Sequence, residues 1–245
     1  MTPPLFFVEP DRLALNEIRL DGAEGRHAAR VRRIGVGERV DVADGFGTVA
    51  ECVVVAHGRD ALDLRVGSRR TAPPPQPRLT VVQALPKGER AELAVSAMTE
   101  VGVDAIVAWS AARCVVSWDG ERARKGVARW RTAARAAAKQ ARRAWLPEVY
   151  AADDTHAVAG LLVGAALGVV LHEEAARPLS ALTAVPDSGD VVVVVGPEGG
   201  LTREELAAFT AVGADSYRLG PTVLRSSTAG VVASALLLAR SGRWS

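Results

Sequence analysis

Residues 191–206 read VVVVVGPEGGLTREEL, and this stretch decides the fold class. Five consecutive valines are typical of a strand that is buried on both faces, as at the centre of a parallel sheet. The glycine turn that follows lets the backbone approach a ligand closely, and the pair Thr202 and Glu205 predicts a capping box at the start of a helix. Because open α/β sheets bind ligands at the carboxyl ends of their strands, this turn is a candidate functional site.

A variant of the same arrangement follows at residues 216–230, which read SYRLGPTVLRSSTAG and precede an apolar helical pattern. We expect the two loops to face one ligand. Arg225 is suited to clamping a phosphate or stabilising an oxyanion, although a surface ion pair is an equal alternative. One hydroxyl among residues 226–228 is expected to cap the last helix. Glu198 either orients a substrate or accepts a proton, unless it only interacts with the helix dipole.

The clearest boundary is the proline-rich segment 71–77, TAPPPQP, which favours an extended spacer. It predicts two domains, 1–72 and 73–245. Before the spacer, short strand patterns separated by turn residues indicate a small barrel or sandwich with one helical patch. The strand patterns are Arg39–Val42, Thr48–Val55 and Ala61–Val66, and the helical patch is Ala23–Arg33.

Strand and helix patterns alternate after the spacer, which predicts an α/β domain with a mainly parallel sheet. The predicted strands are Leu79–Ala84, Ala105–Trp109, Val169–His172 and Val191–Val195. Helices are expected from about Glu89 to Val101, over the basic segment 121–145, and from Thr228 onward.

The basic segment 121–145 contrasts with a net charge of only +2 for the chain, and Glu121 is its one acid. Such charge segregation attracts polyanions and makes nucleic acid the leading partner. A solvated amphipathic helix is the alternative. Five apolar residues recur at helical spacing and predict a buried stripe, and the cations are expected to lie on the opposite flank. The stripe consists of Trp130, Ala134, Ala137, Ala141 and Trp145; the cations are Arg122, Arg124, Lys125, Arg129, Arg131, Arg135, Lys139, Arg142 and Arg143.

Several other classes of protein lose support. Cys52 and Cys114 are isolated, which favours a reducing, cytoplasmic setting, and the four scattered histidines do not show the spacing of a metal site. The amino terminus lacks the pattern of a secretory signal, and no apolar run is long enough to cross a bilayer. The patterns of P-loop enzymes, dinucleotide-binding folds and α/β-hydrolases are also missing. We therefore expect a cytoplasmic protein without a metal or a membrane partner.

The two loops together resemble the cofactor region of SPOUT methyltransferases, and more closely the ribosomal RNA small subunit methyltransferase E family, which makes N3-methyluridine in 16S ribosomal RNA. The resemblance runs along nearly the whole chain. Its further motifs are His27 with residues 31–34, Pro86-Lys87-Gly88, residues 99–103 and 113–116, Trp130, residues 140–143, and residues 146–149.

The resemblance implies a PUA-like β-barrel that binds RNA, followed by an α/β domain with a deep trefoil knot. It also implies a homodimer that uses S-adenosyl-L-methionine. Carried over by position, the cofactor residues are Leu171, His172, Glu173, Gly196, Glu198, Gly199, Leu219, Gly220, Leu224, Thr228 and Ala229. The catalytic candidates are Arg225 and Glu198, and the RNA-binding candidates are Arg30, Arg32, Arg33, Arg129, Arg135, Lys139 and Arg143.

This chain departs from the family at two places. Ala136 and Lys139 stand where acids are common, and residues 226–229, SSTA, replace the usual Thr-Glu-Thr-Ala. Two other functions stay open: a SPOUT enzyme that methylates a ribose hydroxyl or a transfer RNA base, and a non-catalytic RNA-binding assembly factor.

Overall fold

The computed structural model describes residues 2–88 and 90–244. The chain forms two compact units. The first contains Met1–Pro74 and Ala138–Leu146, and the second contains Pro75–Ala137 and Pro147–Ser245. The segment 138–146 thus belongs to the first unit although it follows most of a helix that belongs to the second. The division into domains at residue 72 stays a prediction.

The first unit is built around a five-stranded sheet with the order β1-β3-β4-β5-β2. The strands are β1 (Leu5–Phe7), β2 (Glu17–Leu20), β3 (Arg39–Ala43), β4 (Thr48–His57) and β5 (Leu62–Thr71). β1 pairs with β3 in parallel, and the other pairs are antiparallel. Register shifts at Glu51/Cys52 and Val54/Ala56 interrupt the pairing of β4 with β5, and such bulges bend a strand.

The helical patch of the first unit is irregular. Helix α1 (Gly22–Arg26) continues as one π-helical segment, His27–Val31, and Arg33 then adopts a left-handed backbone with φ 53°. A short 3-10 helix, Pro10–Ala14, lies between β1 and β2. The predicted helical patch Ala23–Arg33 is confirmed as far as Val31, where an α-helix is followed by a π-helix, and the 3-10 helix Pro10–Ala14 adds a second helical segment.

The segment 138–146 is fastened to the first unit by backbone and side-chain contacts. Gly47 N donates to Ala144 O at 3.1 Å, and Trp145 Nε1 donates to Ala72 O at 3.1 Å. Ala138 is fully buried in a small core with Leu5, Phe7, Ala43 and Val49. These contacts place residues 138–146, which include the last turn of a helix, in the first unit.

The second unit contains a six-stranded sheet with the order β11-β9-β10-β6-β7-β8, and every strand pair is parallel. Its strands are β6 (Arg78–Ala84), β7 (Ala105–Trp109), β8 (Glu148–Ala152), β9 (Leu167–Leu171), β10 (Asp190–Val195) and β11 (Asp215–Tyr217). The prediction of a mainly parallel sheet is confirmed.

Helices cover both faces of this sheet, as the valine run predicts. Val191, Val193 and Val195 join one core, while Val192 and Val194 join another. The first core receives α2 (Arg90–Val101), α3 (Gly120–Gln140) and α6 (Ser226–Arg240); the second receives α4 (Thr155–Leu162) and α5 (Arg203–Ala211). A short 3-10 helix, Leu179–Ala181, follows β9. Side chains that alternate between two apolar layers explain why this strand has no polar face.

The apolar stripe of the basic segment is confirmed over part of its length. Trp130, Ala134 and Ala137 are buried. α3 ends at Gln140, so Ala141 is exposed and Trp145 lies beyond the helix. No helix in the described part of the chain is long and apolar enough to cross a membrane. The trefoil knot stays a prediction.

Candidate active site

Three loops meet at one edge of the parallel sheet because β11, β9 and β10 are neighbours that run in the same direction. The loops are 172–178 after β9, 196–202 after β10, and 218–225 after β11. Between them lies a cavity of about 320 Å³. The position agrees with the general rule that such sheets bind ligands outside the carboxyl ends of their strands.

The cavity combines an apolar lining with a few charged groups. Apolar side chains come from Leu171, Val195, Leu201, Leu219, Leu224 and Ala229, and polar ones from His172, Glu173, Glu198, Arg218, Arg225 and Ser226. This mixture is typical of a site for a small organic molecule that carries polar ends. Within residues 2–88 and 90–244, no group of three or more His, Cys, Asp or Glu is arranged to hold a metal ion.

The first glycine loop is fixed by the capping box that the sequence predicts. Glu205 N donates to Thr202 Oγ1 at 3.1 Å, and Thr202 N donates to Glu205 Oε2 at 2.7 Å. Gly200 has a φ of +73°, a conformation that side chains disfavour. Glu205 is only 3% exposed, and its Oε1 also accepts Ala112 N at 2.8 Å. This carboxylate therefore joins α5 to the loop after β7.

Arg113 holds the same glycine loop from the other side, a role that sequence reasoning missed. Its guanidinium donates to Gly199 O at 3.0 Å and to Leu201 O at 3.4 Å. A Cβ at Gly199 would lie 3.1 Å from Arg113 Cβ, so the two residues pack closely. The motif at residues 113–116 supports the family resemblance, but nothing in its local pattern indicates contact with residues 199–201.

A hydrogen bond joins the first glycine loop to the last helix. Ser226 Oγ donates to Glu198 Oε1 at 2.9 Å, and Ser226 is buried. The expectation that a hydroxyl caps α6 is wrong, because the N-cap is Arg225 and its side chain makes no capping hydrogen bond. Ser226 instead binds a carboxylate on the opposite loop.

The loops after β9 and β11 are also joined. His172 N donates to Tyr217 O at 3.0 Å, and Leu179 N donates to Arg218 O at 2.8 Å. The Arg218 guanidinium donates to Ala175 O at 2.8 Å and also to Ala176 O. All three cavity loops are therefore cross-linked by hydrogen bonds, which favours a preorganised site.

The sequence profile of the RNA methyltransferase domain matches residues 73–238, and that of the RNA methyltransferase PUA domain matches residues 20–67. A Mycobacterium bovis protein named ribosomal RNA small subunit methyltransferase E is 48% identical over 251 residues, covering 100% of this chain and 94% of its own. The Bacillus subtilis protein of the same name is 30% identical, with 91% of each chain covered. The chain belongs to the ribosomal RNA small subunit methyltransferase E family.

The fold of this family member agrees with a solved structure. A ribosomal RNA small subunit methyltransferase E from Neisseria gonorrhoeae, bound to S-adenosyl methionine, superposes with a TM-score of 0.82. The two chains are 23% identical, and 97% of this chain and 98% of the other are covered. The superposition confirms the α/β fold, and the domain profile over residues 20–67 confirms the PUA-like amino-terminal part.

The cavity gathers most of the residues that the resemblance assigns to the cofactor. Gly199 and Thr228 do not line it: Gly199 packs on Arg113, and Thr228 is exposed on the first turn of α6. Both catalytic candidates, Arg225 and Glu198, line the cavity. The other lining residues among the predicted set are Leu171, His172, Glu173, Gly196, Leu219, Gly220, Leu224 and Ala229.

The RNA-binding candidates of the first unit have different surroundings. Arg32 and Arg33 are exposed, while Arg30 pairs with Asp60. Lys139 pairs with Glu24 at 2.6 Å, and their side chains are only 15% and 20% exposed. Lys139 therefore stabilises the fold of this unit rather than offering a solvated charge.

The remaining candidates lie on or just after α3. Arg129 is exposed, whereas Arg135 and Arg143 are half-buried. Of these three, Arg129 presents its charge most fully to solvent.

Proposed function

We propose that this protein transfers a methyl group from S-adenosyl-L-methionine to N3 of a uridine in 16S ribosomal RNA. The observation that carries the proposal is the three-loop cavity, which places Arg225 and Glu198 at one edge of the sheet. Relatives along the full length of the chain bear the name of an enzyme that methylates small subunit ribosomal RNA.

The cavity suits the chemical groups of S-adenosylmethionine. Leu171, Leu219 and Leu224 provide apolar surface for an adenine ring, and the glycine loops bring backbone groups close to it. Glu173 and Glu198 provide negative charge that complements a sulfonium and an ammonium group. When bound, the cofactor supplies an electrophilic methyl group.

Arg225 is proposed as the catalytic cation. Uracil N3 carries a weakly acidic hydrogen, and negative charge develops on the neighbouring carbonyl oxygens as that proton leaves. A planar guanidinium is well suited to stabilise this charge. Arg225 lines the cavity and is exposed, and its backbone is the N-cap of α6.

Glu198 is proposed to position the reacting groups or to accept the proton. Ser226 holds one oxygen of its carboxylate at 2.9 Å, so the other oxygen keeps a defined direction. In this chain Ser226 stands where the family commonly has a threonine, and its hydroxyl supplies the support. The choice between a positioning and a proton-accepting role is made by the pH profile of a Glu198→Gln variant.

The acceptor nitrogen lies on the pairing edge of the base, so the target uridine is unpaired or flipped when it reacts. We assign RNA backbone contacts to Arg30, Arg32 and Arg33 of the first unit, and to Arg129 and Arg135 of α3. We also assign an RNA backbone contact to Arg143, which follows α3. Phosphate contacts of this kind predict affinity that falls steeply with salt.

The assembly and setting of the enzyme are further parts of the proposal. We infer that residues 1–72 serve RNA binding and residues 73–245 catalysis, that a trefoil knot forms the cofactor site, and that two copies form a homodimer. Ribosomal RNA as substrate implies that the protein acts in the cytoplasm.

Nucleoside analysis tests the proposal most simply. The purified protein is incubated with small ribosomal subunits that lack the modification and with isotopically labelled S-adenosylmethionine. The RNA is then digested and its nucleosides are analysed by mass spectrometry. Labelled 3-methyluridine is the expected product; a labelled ribose or no label at all contradicts the proposal.

A matched pair of variants tests the role of Arg225. Arg225→Ala should bind S-adenosylmethionine in calorimetry but lose methylation by about 100-fold or more, the scale of losing one charge-stabilising group. Arg203→Ala removes an exposed arginine of α5 that does not line the cavity, and it should retain activity. Equal activity of the two variants would remove Arg225 from the mechanism.

A further inference from the structure

A second groove lies on the second unit, beside the amino-terminal half of α3. Its volume is about 840 Å³, and it shares no lining residue with the cavity described above. The lining residues are Val115, Val116, Ser117, Trp118, Arg122, Lys125, Ala128 and Arg129. Of these, the proposed function uses only Arg129.

One wall of the groove is strongly basic. Arg122, Lys125 and Arg129 recur at helical spacing and are all exposed, so their charges lie along one face of α3. Lys125 pairs with Glu121 at 2.8 Å across an exposed turn. From Arg122 to Arg129 the helix rises about 10 Å, which matches about three phosphates of a stacked strand.

An aromatic residue forms the other side of the groove and is held firmly. Trp118 packs edge-on against Trp130, with ring centroids 5.2 Å apart. Its backbone N donates to Ser110 Oγ at 3.2 Å. A Cβ at Gly126 would lie 2.5 Å from two ring carbons of Trp118, so glycine is what allows the ring to lie against the helix.

A fixed aromatic ring beside a row of cations is the arrangement that binds single-stranded nucleic acid. Bases stack on the ring, whatever their sequence, and the cations contact the phosphates. Val115 is 77% exposed at the rim and adds apolar surface. Among the lining residues three carry positive charge and none is acidic, which favours a polyanion over a protein partner.

We propose that this groove binds a single-stranded segment of the RNA substrate, with Trp118 stacking on a base and Arg122 and Arg129 contacting phosphates. The inference rests on the proposed function, because it extends the contact with substrate RNA beyond the target uridine. It assigns new roles to Trp118 and Arg122 and places the RNA contact of Arg129 in this groove.

Fluorescence anisotropy with a labelled fragment of 16S ribosomal RNA, titrated at several salt concentrations, tests this groove. Log affinity falls with log salt concentration, and each contact to a phosphate of a single strand contributes about 0.7 to that slope. Losing one contact should therefore make the slope shallower by about 0.7 and lower the affinity at 0.1 M salt by roughly fivefold. Arg122→Ala and Arg129→Ala should each show this loss. Arg124→Ala is the matched control, because Arg124 is also exposed on α3 but does not line the groove.

Trp118→Leu separates stacking from charge. It should lower RNA affinity by roughly fivefold or more without changing the salt slope. Because Trp118 also packs on Trp130, the melting temperature of the Trp118→Leu variant is measured first. If this variant is unfolded, the two arginine variants decide the question alone.

The outcomes keep this proposal distinct from the proposed function. If Arg122→Ala and Arg129→Ala match Arg124→Ala in affinity and slope, the groove does not bind RNA. A change in sedimentation with unchanged RNA affinity would make it a protein interface and would likewise overturn the inference. Either result is compatible with normal methylation at saturating RNA, whereas a wild-type protein that binds no S-adenosylmethionine would overturn the proposed function itself.

Discussion

Replacing Arg243 by alanine should destabilise the second unit without touching its active site. The Arg243 guanidinium binds Asp104 through two contacts, Nη1 to Oδ2 at 2.5 Å and Nη2 to Oδ1 at 3.1 Å. It also donates to Pro77 O and Gly102 O, each at 3.1 Å. The Arg243 and Asp104 side chains are only 14% and 9% exposed. The pair thus joins the carboxyl-terminal segment to the starts of β6 and β7, at the sheet edge away from the three-loop cavity.

The expected loss follows from the charge that the substitution leaves behind. Without Arg243, the Asp104 carboxylate stays largely buried and keeps the hydrogen bond that it accepts from Leu79 N at 2.9 Å. Breaking a buried ion pair by removing one partner costs about 3–5 kcal/mol. Because both side chains are slightly exposed, we expect a loss at the lower end of this range, about 3 kcal/mol. For a protein of this size that corresponds to a fall in melting temperature of roughly 6–12 °C.

Chemical denaturation and thermal melting of full-length variants measure this effect. Arg240→Ala is the control, since it removes an exposed arginine of the same segment that donates to the carbonyl oxygens of Ser180 and Leu182. It should cost less than about 1 kcal/mol. The double variant Arg243→Ala/Asp104→Asn should recover part of the loss because the buried negative charge is removed as well. Arg243→Ala with a stability equal to that of Arg240→Ala would refute the reasoning.

Three further predictions concern pH, backbone conformation and thiol reactivity. Burial and the charge of Lys139 lower the pKa of His27, so His27 takes up a proton at a higher pH in the unfolded chain than in the folded one. The free energy of unfolding should therefore fall as the pH drops below about 6.5. His27→Gln should flatten that part of the pH profile. Gly200→Ala forces a side chain into a backbone with φ +73°, at a cost of about 1–2 kcal/mol, and calorimetry should show weaker S-adenosylmethionine binding than in wild type. Burial raises the pKa of Cys52 to about 11, so iodoacetamide at pH 8 should modify it only after unfolding, as peptide mapping would show; rapid labelling of the folded protein would contradict this.

The central strand and its helices follow from local sequence. The valines of β10 are predictable because no polar residue interrupts them, and both of their faces prove to be buried. The capping box at Thr202 is predictable because its two partners are three residues apart. The edge where the loops meet follows from the parallel sheet, since all carboxyl ends then point the same way.

Contacts between distant positions could not be predicted in this way. Lys139 has the pattern of a solvated cation, yet Glu24, more than a hundred residues earlier, pairs with it. Ser226 has the pattern of a helix cap, but its hydroxyl binds Glu198 on another loop. Arg113 holds the glycine loop from a segment that follows β7. Each of these roles depends on the packing of elements that are distant in the sequence, which a local sequence pattern does not specify.

A crystal structure of the full chain grown with S-adenosylmethionine tests the central claim most directly. The molecule should lie between the loops that follow β9, β10 and β11, in contact with Leu171, Leu219 and Leu224, and with its methyl group toward Arg225. Cofactor bound at any other place on the chain, or well-ordered crystals at saturating concentration without it in that cavity, would contradict the assignment of this sheet edge as the catalytic centre.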